Sequence, residues 1–290
     1  MKEPEKPEWL KVRAVSSDEF QRIRYLGKIG ALHTVCDSSQ CPNISECWSR
    51  GNATFMLMGD VCTRHCGFCA VKTGDPRGVV DLGEPERIAA AVREMALKHV
   101  VITSVARDDL PDGGAGQFSQ AVREIKAKSP QTSVEVLVPD LRGKKAWIEE
   151  VLDSGPDVFA HNLETVKRLQ GQVRDKRCSF ETSIHVLKTA KEINAKIATK
   201  SSIMLGVGES QSEVLELMAE LRASSVDILT IGQYLRPRGG GYPVHRYLHP
   251  NEFEELRALG LKMGFKFVAS NPFVRSSYMA REAYLAFEER

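Results

Sequence analysis

The sequence lacks most of what would mark a membrane, secreted or nucleic-acid-binding protein. No apolar run approaches the roughly 18–20 residues that span a bilayer, so no membrane helix is expected. The net charge is only +2, with 40 Lys and Arg against 38 Asp and Glu. So small an imbalance excludes recruitment of nucleic acid by bulk electrostatics. The opening MKEPEKPEWLKVRAV has no apolar stretch of the kind a secretory signal needs. There is no internal repeat and no low-complexity segment. Cysteine is present, but as an odd count of 7 with close spacings, which suits metal ligation in a reducing compartment better than disulfides. What remains is a chain of 290 residues, 42% hydrophobic, able to bury a substantial core and expected in the cytoplasm.

Residues 1–35 are mixed and charged, with a helical stretch expected over Asp18–Ala31. From about residue 53, β-branched runs alternate with amphipathic stretches. Strands are expected at Thr54–Met58, Val100–Val105, Val134–Val138, Asp157–His161, Lys196–Leu205 and Asp227–Tyr234. Helical periodicity falls at Pro85–Lys98, Gly116–Lys128, Lys144–Asp153, Ser179–Ile193 and Ser212–Arg222. About six βα units argue for an α/β fold, a parallel sheet closing into a partial (β/α)6 TIM-like barrel. A further strand at Phe265–Ala269 and a helix at Tyr278–Glu288 would finish the chain. The expected divisions are an N-terminal extension over residues 1–50, the barrel over 51–264 and a C-terminal extension over 265–290.

Six of the cysteines form two triplets. Cys36, Cys41 and Cys47 read C-x4-C-x5-C; Cys62, Cys66 and Cys69 read C-x3-C-x2-C. Three thiolates supply three corners of a [4Fe–4S] cubane, so two clusters are expected, each with one corner that cysteine does not fill. The second triplet follows the first strand, where such barrels place their chemistry. An amine and a carboxylate on a small molecule would complete its open iron, and S-adenosyl-L-methionine carries both. The alternative from spacing alone is a zinc knuckle of Cys62, His65, Cys66 and Cys69.

The second spacing, with Phe68 before its last cysteine, resembles the radical S-adenosylmethionine superfamily. The chain further reads HTVC-x4-C-x5-CW at His33–Trp48, TSVARDDLPDGGA at Thr103–Ala115, AHNLETV at Ala160–Val166, SSIMLGVGE at Ser201–Glu209, QYLRP at Gln233–Pro237 and VRSSY at Val274–Tyr278. Together these resemble the lipoyl synthase family over nearly the whole chain. The resemblance implies insertion of two sulfur atoms at carbons 6 and 8 of an octanoyl chain, amide-linked to a lysine of a lipoyl carrier domain. It implies that the first triplet holds an auxiliary cluster, consumed as the sulfur source, whose fourth ligand is Ser277. Arg275 would help hold that serine deprotonated. Without the resemblance, Ser276 and Ser277 read as an ordinary helix cap before Tyr278.

Weaker candidates gather at strand ends. Thr103 and Ser104 close the second strand, where backbone carbonyls in radical enzymes meet the methionine amino group. Asn162 and Glu164 suit ribose hydroxyls and an α-amino group, although both also read as solvated residues at a strand end. Lys200, with Ser202 on the fifth strand, is expected to pair with a substrate carboxylate, since a lone buried ammonium is costly. Asp112 reads as a helix cap. Gln233, Tyr234 and Arg236 could line an octanoyl channel. Cys178 reads as a small buried apolar residue. His33, His65 and His161 read as neighbours, because hydrogen-atom abstraction needs no general base. One departure is Arg238–Val244, where three glycines replace the family's basic, His-containing segment.

The expected partners are octanoylated carrier domains (the E2 subunits of 2-oxoacid dehydrogenases and the glycine cleavage H protein), an electron donor such as flavodoxin or ferredoxin, and an iron–sulfur carrier that rebuilds the spent cluster. Three rivals stand beside this reading: another radical enzyme with an auxiliary cluster, a non-enzymatic iron–sulfur carrier, and a zinc-stabilised binding module.

Overall fold

The computed structural model describes residues 3–11, 17–30, 32–39, 41–50 and 52–289. The chain divides into two compact units: Val12–Arg64 with Val71–Phe159, and Met1–Lys11 with His65–Ala70 and Ala160–Arg290.

The first unit opens with α1 (Asp18–Ile29), started by the Ser17 hydroxyl, which accepts the Phe20 N–H at 3.1 Å. The expected helix end at Ala31, like the expected boundary at Gly51, lies outside the described residues. β1 (His33–Thr34) runs antiparallel to β2 (Thr54–Leu57), and the turn-length helices α2 (Val35–Ser38) and α3 (Ile44–Ser49) lie between them in sequence. Next come β3 (Val61–Cys62) and β4 (Lys72–Thr73), which pair in parallel with Cys62 opposite Thr73. After α4 (Glu84–Glu94), β5 (His99–Ser104) lies parallel to β2; after α5 (Ala115–Lys128), β6 (Ser133–Leu137) lies parallel to β5. β5 is buried from His99 to Thr103, the signature of a strand covered on both faces. The turn into α5 needs Gly114: its φ is +91°, and a Cβ there would stand 2.5 Å from Met58. Asp112 accepts the Gly114 and Gly116 N–H groups at 2.9 Å each, the capping role its sequence position suggests. The turn-helix α6 (Lys145–Leu152) follows β6. β7 (Val158–Ala160) falls at the boundary of the two units.

The second unit runs α7 (Gln170–Val173), α8 (Phe180–Ile193), β8 (Ala198–Leu205), α9 (Gln211–Ala223), β9 (Ile228–Gln233), α10 (Pro250–Lys262), β10 (Phe267–Ser270) and α11 (Ala280–Glu288). β9 pairs in parallel with both β8 and β10, Ile228 standing opposite Lys200 and Phe267. Leu187, Leu217, Leu229, Ile231, Phe253 and Phe265 form the heart of its core. The expected strands and helices are thus present, in an α/β fold whose sheet is mostly parallel. The short helices α2, α3 and α7 and the full-length helix α10 are additional. The signals of α10 are local: Pro250 at the first position, and a box in which the Glu252 carboxylate accepts the His249 N–H at 2.8 Å.

The tail after β10 lies directly on β9. The Gln233 N–H donates to the Pro272 carbonyl at 3.2 Å, and a Cβ on Gly232 would stand 2.0 Å from the Val274 oxygen. Only a residue without a side chain allows that approach. Gly232→Ala is therefore expected to force Pro272–Tyr278 off the strand at a cost of about 1–3 kcal/mol, lowering the thermal midpoint by several degrees; an unchanged melting curve would show that the tail yields freely.

Candidate active site

In the first unit, the second cysteine triplet begins at the end of β3. Two main-chain N–H groups, from Arg64 and Ala106, donate to the Cys62 sulfur at 3.4 Å each. Arg64 itself is 7% exposed and held by two carboxylates. Its Nε and Nη2 bond Asp108 at 2.9 Å, while Nη1 and Nη2 bond Asp140 at 2.5 and 2.8 Å. Thr63 joins the same knot: its hydroxyl lies 2.9 Å from both the Asp108 carboxylate and the Ala106 carbonyl, and accepts the Asp108 N–H at 3.1 Å. Asp140 precedes a turn in which Leu141, Arg142 and Gly143 have φ of +45°, +51° and +64°. Two side-chain-bearing residues in that region cost about 1–3 kcal/mol each, so the surroundings hold this turn firmly. Arg142 Nη2 donates to the Asp108 carbonyl at 2.6 Å.

In the second unit, His65–Ala70 is held by another set of bonds. The His65 N–H donates to Asp175 Oδ2 at 2.8 Å, and the Asp175 N–H donates to the Cys66 sulfur at 3.3 Å. Gly67 donates to the Val173 carbonyl at 2.9 Å and accepts the Tyr242 N–H at 2.6 Å. The Arg177 guanidinium holds the Asp175 carboxyl far below the usual range. The Cys66 thiol is pushed strongly upward, first by the Cys178 thiol beside it and then by burial. Cys178 is buried, as expected, yet it touches a motif cysteine, which its isolation in the sequence did not signal.

The first triplet is assembled on the short helices of the first unit. α2 carries Cys36 and α3 carries Cys47; the Cys41 N–H donates to the Cys36 carbonyl at 3.0 Å. The three thiols lie near enough to repel one another if ionised. Burial, then Cys41, pushes Cys36 up to about 11; burial, then Cys41 and Cys36, pushes Cys47 up to about 12. Thr54 donates its N–H toward the Cys36 sulfur. The indole N–H of Trp48 is turned the same way but falls short of a full hydrogen bond, leaving a buried donor without a partner. All the cysteines are free thiols.

The Arg275–Tyr278 segment is a turn and not a helix start. The Tyr278 N–H donates to the Arg275 carbonyl at 2.9 Å, and α11 begins only at Ala280 after Met279 at φ +52°. No side chain caps α11 from that position, so neither Ser276 nor Ser277 is its N-cap. Arg275 Nη1 donates to the Val274 carbonyl at 2.6 Å.

Among the strand-end candidates, Thr103 is used structurally, its hydroxyl donating to Leu137 at 2.9 Å, whereas the Ser104 hydroxyl is buried without a partner. Asn162 and Glu164 meet at 3.1 Å. Glu164 has a φ of +66°, and burial raises its carboxyl against the pull of Arg174. Lys200 and Ser202 are buried on β8. His161 meets Ser183 at 2.9 Å. Gln233 and Tyr234 do not line a channel. The Gln233 amide donates to Leu205, Tyr234 and Arg246 carbonyls at 3.0–3.1 Å, and Tyr234 donates to Tyr242 at 2.7 Å. Arg236 meets Glu3 at 3.2 Å. Sequence reasoning missed Arg64, Asp140, Arg174 and Asp175, which stand in the sequence only as isolated charges.

Comparison with known proteins decides the family. Residues 56–221 match the Radical SAM superfamily. The lipoyl synthase of Pyrobaculum arsenaticum is 54% identical over 281 residues, covering 96% of this chain and 94% of that protein. Those of Deinococcus radiodurans and Thermus thermophilus are 54% and 48% identical, covering 96% and 98% of this chain and 84% and 88% of those proteins. The chain belongs to the lipoyl synthase family. Among solved structures, the hydrogenase maturase HydG from Carboxydothermus hydrogenoformans superposes with a TM-score of 0.62 at 13% identity, covering 92% of this chain and 68% of that one. Methylornithine synthase (PylB) gives 0.57 at 14% identity, covering 88% and 79%. These two likenesses bear on the fold alone. Membership in this radical S-adenosylmethionine family brings with it a [4Fe–4S] cluster and adenosylmethionine.

The residues present fit an iron–sulfur cluster. Among the described residues no three His, Cys, Asp or Glu side chains converge on the position of a single ion; a cubane sets each thiolate on a separate iron and needs no such convergence. Main-chain N–H groups point at the Cys62 and Cys66 sulfurs, and the unpartnered Trp48 N–H is a buried donor beside Cys36.

The raised thiols give a pH dependence. Because Cys36 and Cys47 are pushed up in this way, a metal taken up by them has to displace protons. Iron loading of the first triplet is expected to grow more favourable as pH rises from 7 to 9. Iron retention against a chelator, read across that range, checks this; a flat profile would contradict it.

Proposed function

We propose that this chain is a lipoyl synthase, inserting two sulfur atoms at carbons 6 and 8 of an octanoyl chain amide-linked to a lysine of a carrier domain. The observation that carries the reading is near-complete alignment with lipoyl synthases at about half identity, joined to two separately assembled cysteine triplets.

Within that reading Cys62, Cys66 and Cys69 hold the cluster that engages adenosylmethionine, and Cys36, Cys41, Cys47 and Ser277 hold an auxiliary cluster, carried by the extensions at residues 1–50 and 265–290 around a partial barrel. The bound clusters and adenosylmethionine supply the 5′-deoxyadenosyl radical and the sulfide. The protein's part is to hold, orient and shield. Ser104, with an uncommitted buried hydroxyl, and the Asn162–Glu164 pair are suited to the polar end of adenosylmethionine; Thr103 on β5 and Lys200 and Ser202 on β8 are the further candidates. Ser277, free of any capping duty, is available as a hard oxygen ligand that releases iron more readily than a thiolate. Arg275 favours its deprotonated form.

The carrier domains of 2-oxoacid dehydrogenases and of the glycine cleavage system are the proposed substrates, with a flavodoxin or ferredoxin as reductant, an iron–sulfur carrier for rebuilding and a cytoplasmic setting. No helix among the described residues is long and apolar enough to cross a membrane.

Anaerobic incubation with an octanoylated carrier peptide, adenosylmethionine and a reductant is expected to add two sulfur atoms to the peptide, less two hydrogens when the product closes as a disulfide ring. Cleavage of adenosylmethionine with no change in peptide mass would move the chain to another radical reaction. Ser277→Ala should leave that cleavage working and reduce sulfur insertion to background; full insertion by this variant would remove Ser277 from the ligand set.

A further inference from the structure

The sequence between Cys62 and Cys66 contains a buried cation, Arg64, that is held by two carboxylates. Arg64 is almost fully buried, and Asp140 has no exposed side-chain surface. A guanidinium with five donors can satisfy two carboxylates at once in a fixed plane, which an ammonium cannot. Here all three nitrogens are used, toward Asp108 from one side and Asp140 from the other. Both carboxylates come from turns that follow strands, Asp108 after β5 and Asp140 after β6. The positive φ values at Leu141 and Arg142 belong to the turn that presents Asp140, and outliers of this kind persist only where the surroundings over-determine them.

The same knot fixes the main chain around one sulfur. The Arg64 N–H donates to Cys62, and the Ala106 N–H, two residues before Asp108, donates to it as well. Thr63 ties the two segments together, its N–H and hydroxyl both meeting the Ala106 carbonyl at 3.0 and 2.9 Å. Hydrogen bonds to cluster sulfurs are one of the levers that set a cluster's reduction potential.

We propose that Arg64, Asp108 and Asp140 are positioning residues for Cys62: the ionic knot holds two N–H donors on its sulfur and thereby raises the reduction potential of the cluster that this cysteine carries. The proposal rests on the reading that Cys62 is a ligand of the adenosylmethionine-binding cluster. No covalent step is involved; the residues act through the main chain they anchor.

The test uses full-length protein with both clusters loaded anaerobically, compared as wild type, Arg64→Lys and Asp140→Asn. The lysine keeps the charge but cannot bridge both carboxylates, and the asparagine keeps the shape but removes a charge. The reduced cluster is followed by electron paramagnetic resonance, taking the signal that changes on addition of adenosylmethionine, and its midpoint potential is measured by redox titration. Iron per chain and the melting curve are read alongside. The expected result is a midpoint more negative than wild type, or selective loss of the responsive signal in Arg64→Lys, with the iron of the first triplet retained. An unchanged signal and midpoint in both variants would overturn the proposal. So would joint loss of both clusters and of the melting transition in both variants, because the knot would then be supporting the unit as a whole. Wild-type protein that loads iron yet shows no adenosylmethionine-responsive signal would defeat the underlying ligand reading instead, before any variant is compared.

Discussion

Burial, joined by the closeness of neighbouring cysteines, opposes ionisation of the thiols in the first triplet. Cys36, Cys41 and Cys47 are drawn together inside the first unit, where water is scarce and each added negative charge raises the cost of the next. Burial and the neighbouring cysteines displace Cys36 and Cys47 upward, to about 11 and 12. Polypeptide alone offers little relief: an amide from Thr54 and the unpartnered indole of Trp48. On the proposed reading, a cationic iron core would supply what is missing, and a place that is electrostatically unfavourable for its own ligands would become favourable with metal bound. Small helices suit this task, because α2 and α3 are too short to be stable alone and take their positions from packing.

The second triplet solves the same problem with different means. Cys62 and Cys66 accept main-chain N–H groups, while the side chains of Arg64 in one unit and of Asp175 with Arg177 in the other are bonded to carboxylates, a guanidinium and the main chain. The division of labour is clear in the side chains. Carboxylates and guanidinium groups spend their bonds largely on one another, while Cys62 meets amide donors and Cys66 an amide donor and a second thiol.

Much of this was legible in the sequence, for identifiable reasons. Strands such as His99–Ser104 and Ile228–Gln233 announce themselves by short runs rich in β-branched residues, and the cysteine spacings are read without reference to the fold. Asp112 was readable as a cap because its bonds are local. What stayed hidden was long-range. Arg64 lies 44 residues from Asp108 and 76 from Asp140, and nothing in local pattern distinguishes a buried, doubly paired arginine from a solvated one. Cys178 was silent for the same reason. Gln233 shows the converse error: a polar residue at a strand end looked ready for a ligand, whereas its amide is wholly occupied in stitching together the turns around Leu205 and Arg246. α10 was missed although its start is marked, because its apolar stripe is thin.

The parallel pairing of β3 with β4 has a consequence for the motif between them. Two adjacent strands running the same way cannot be joined by a tight hairpin; the chain has to climb away from Cys62 and come back alongside before Thr73. The number of residues on that detour is thus a mechanical quantity. Were one removed, the returning strand would be pulled out of step, and a slip of a single residue turns alternate side chains to the opposite face. The count between the cysteines thus answers to the geometry of a ladder as well as to the geometry of a cubane.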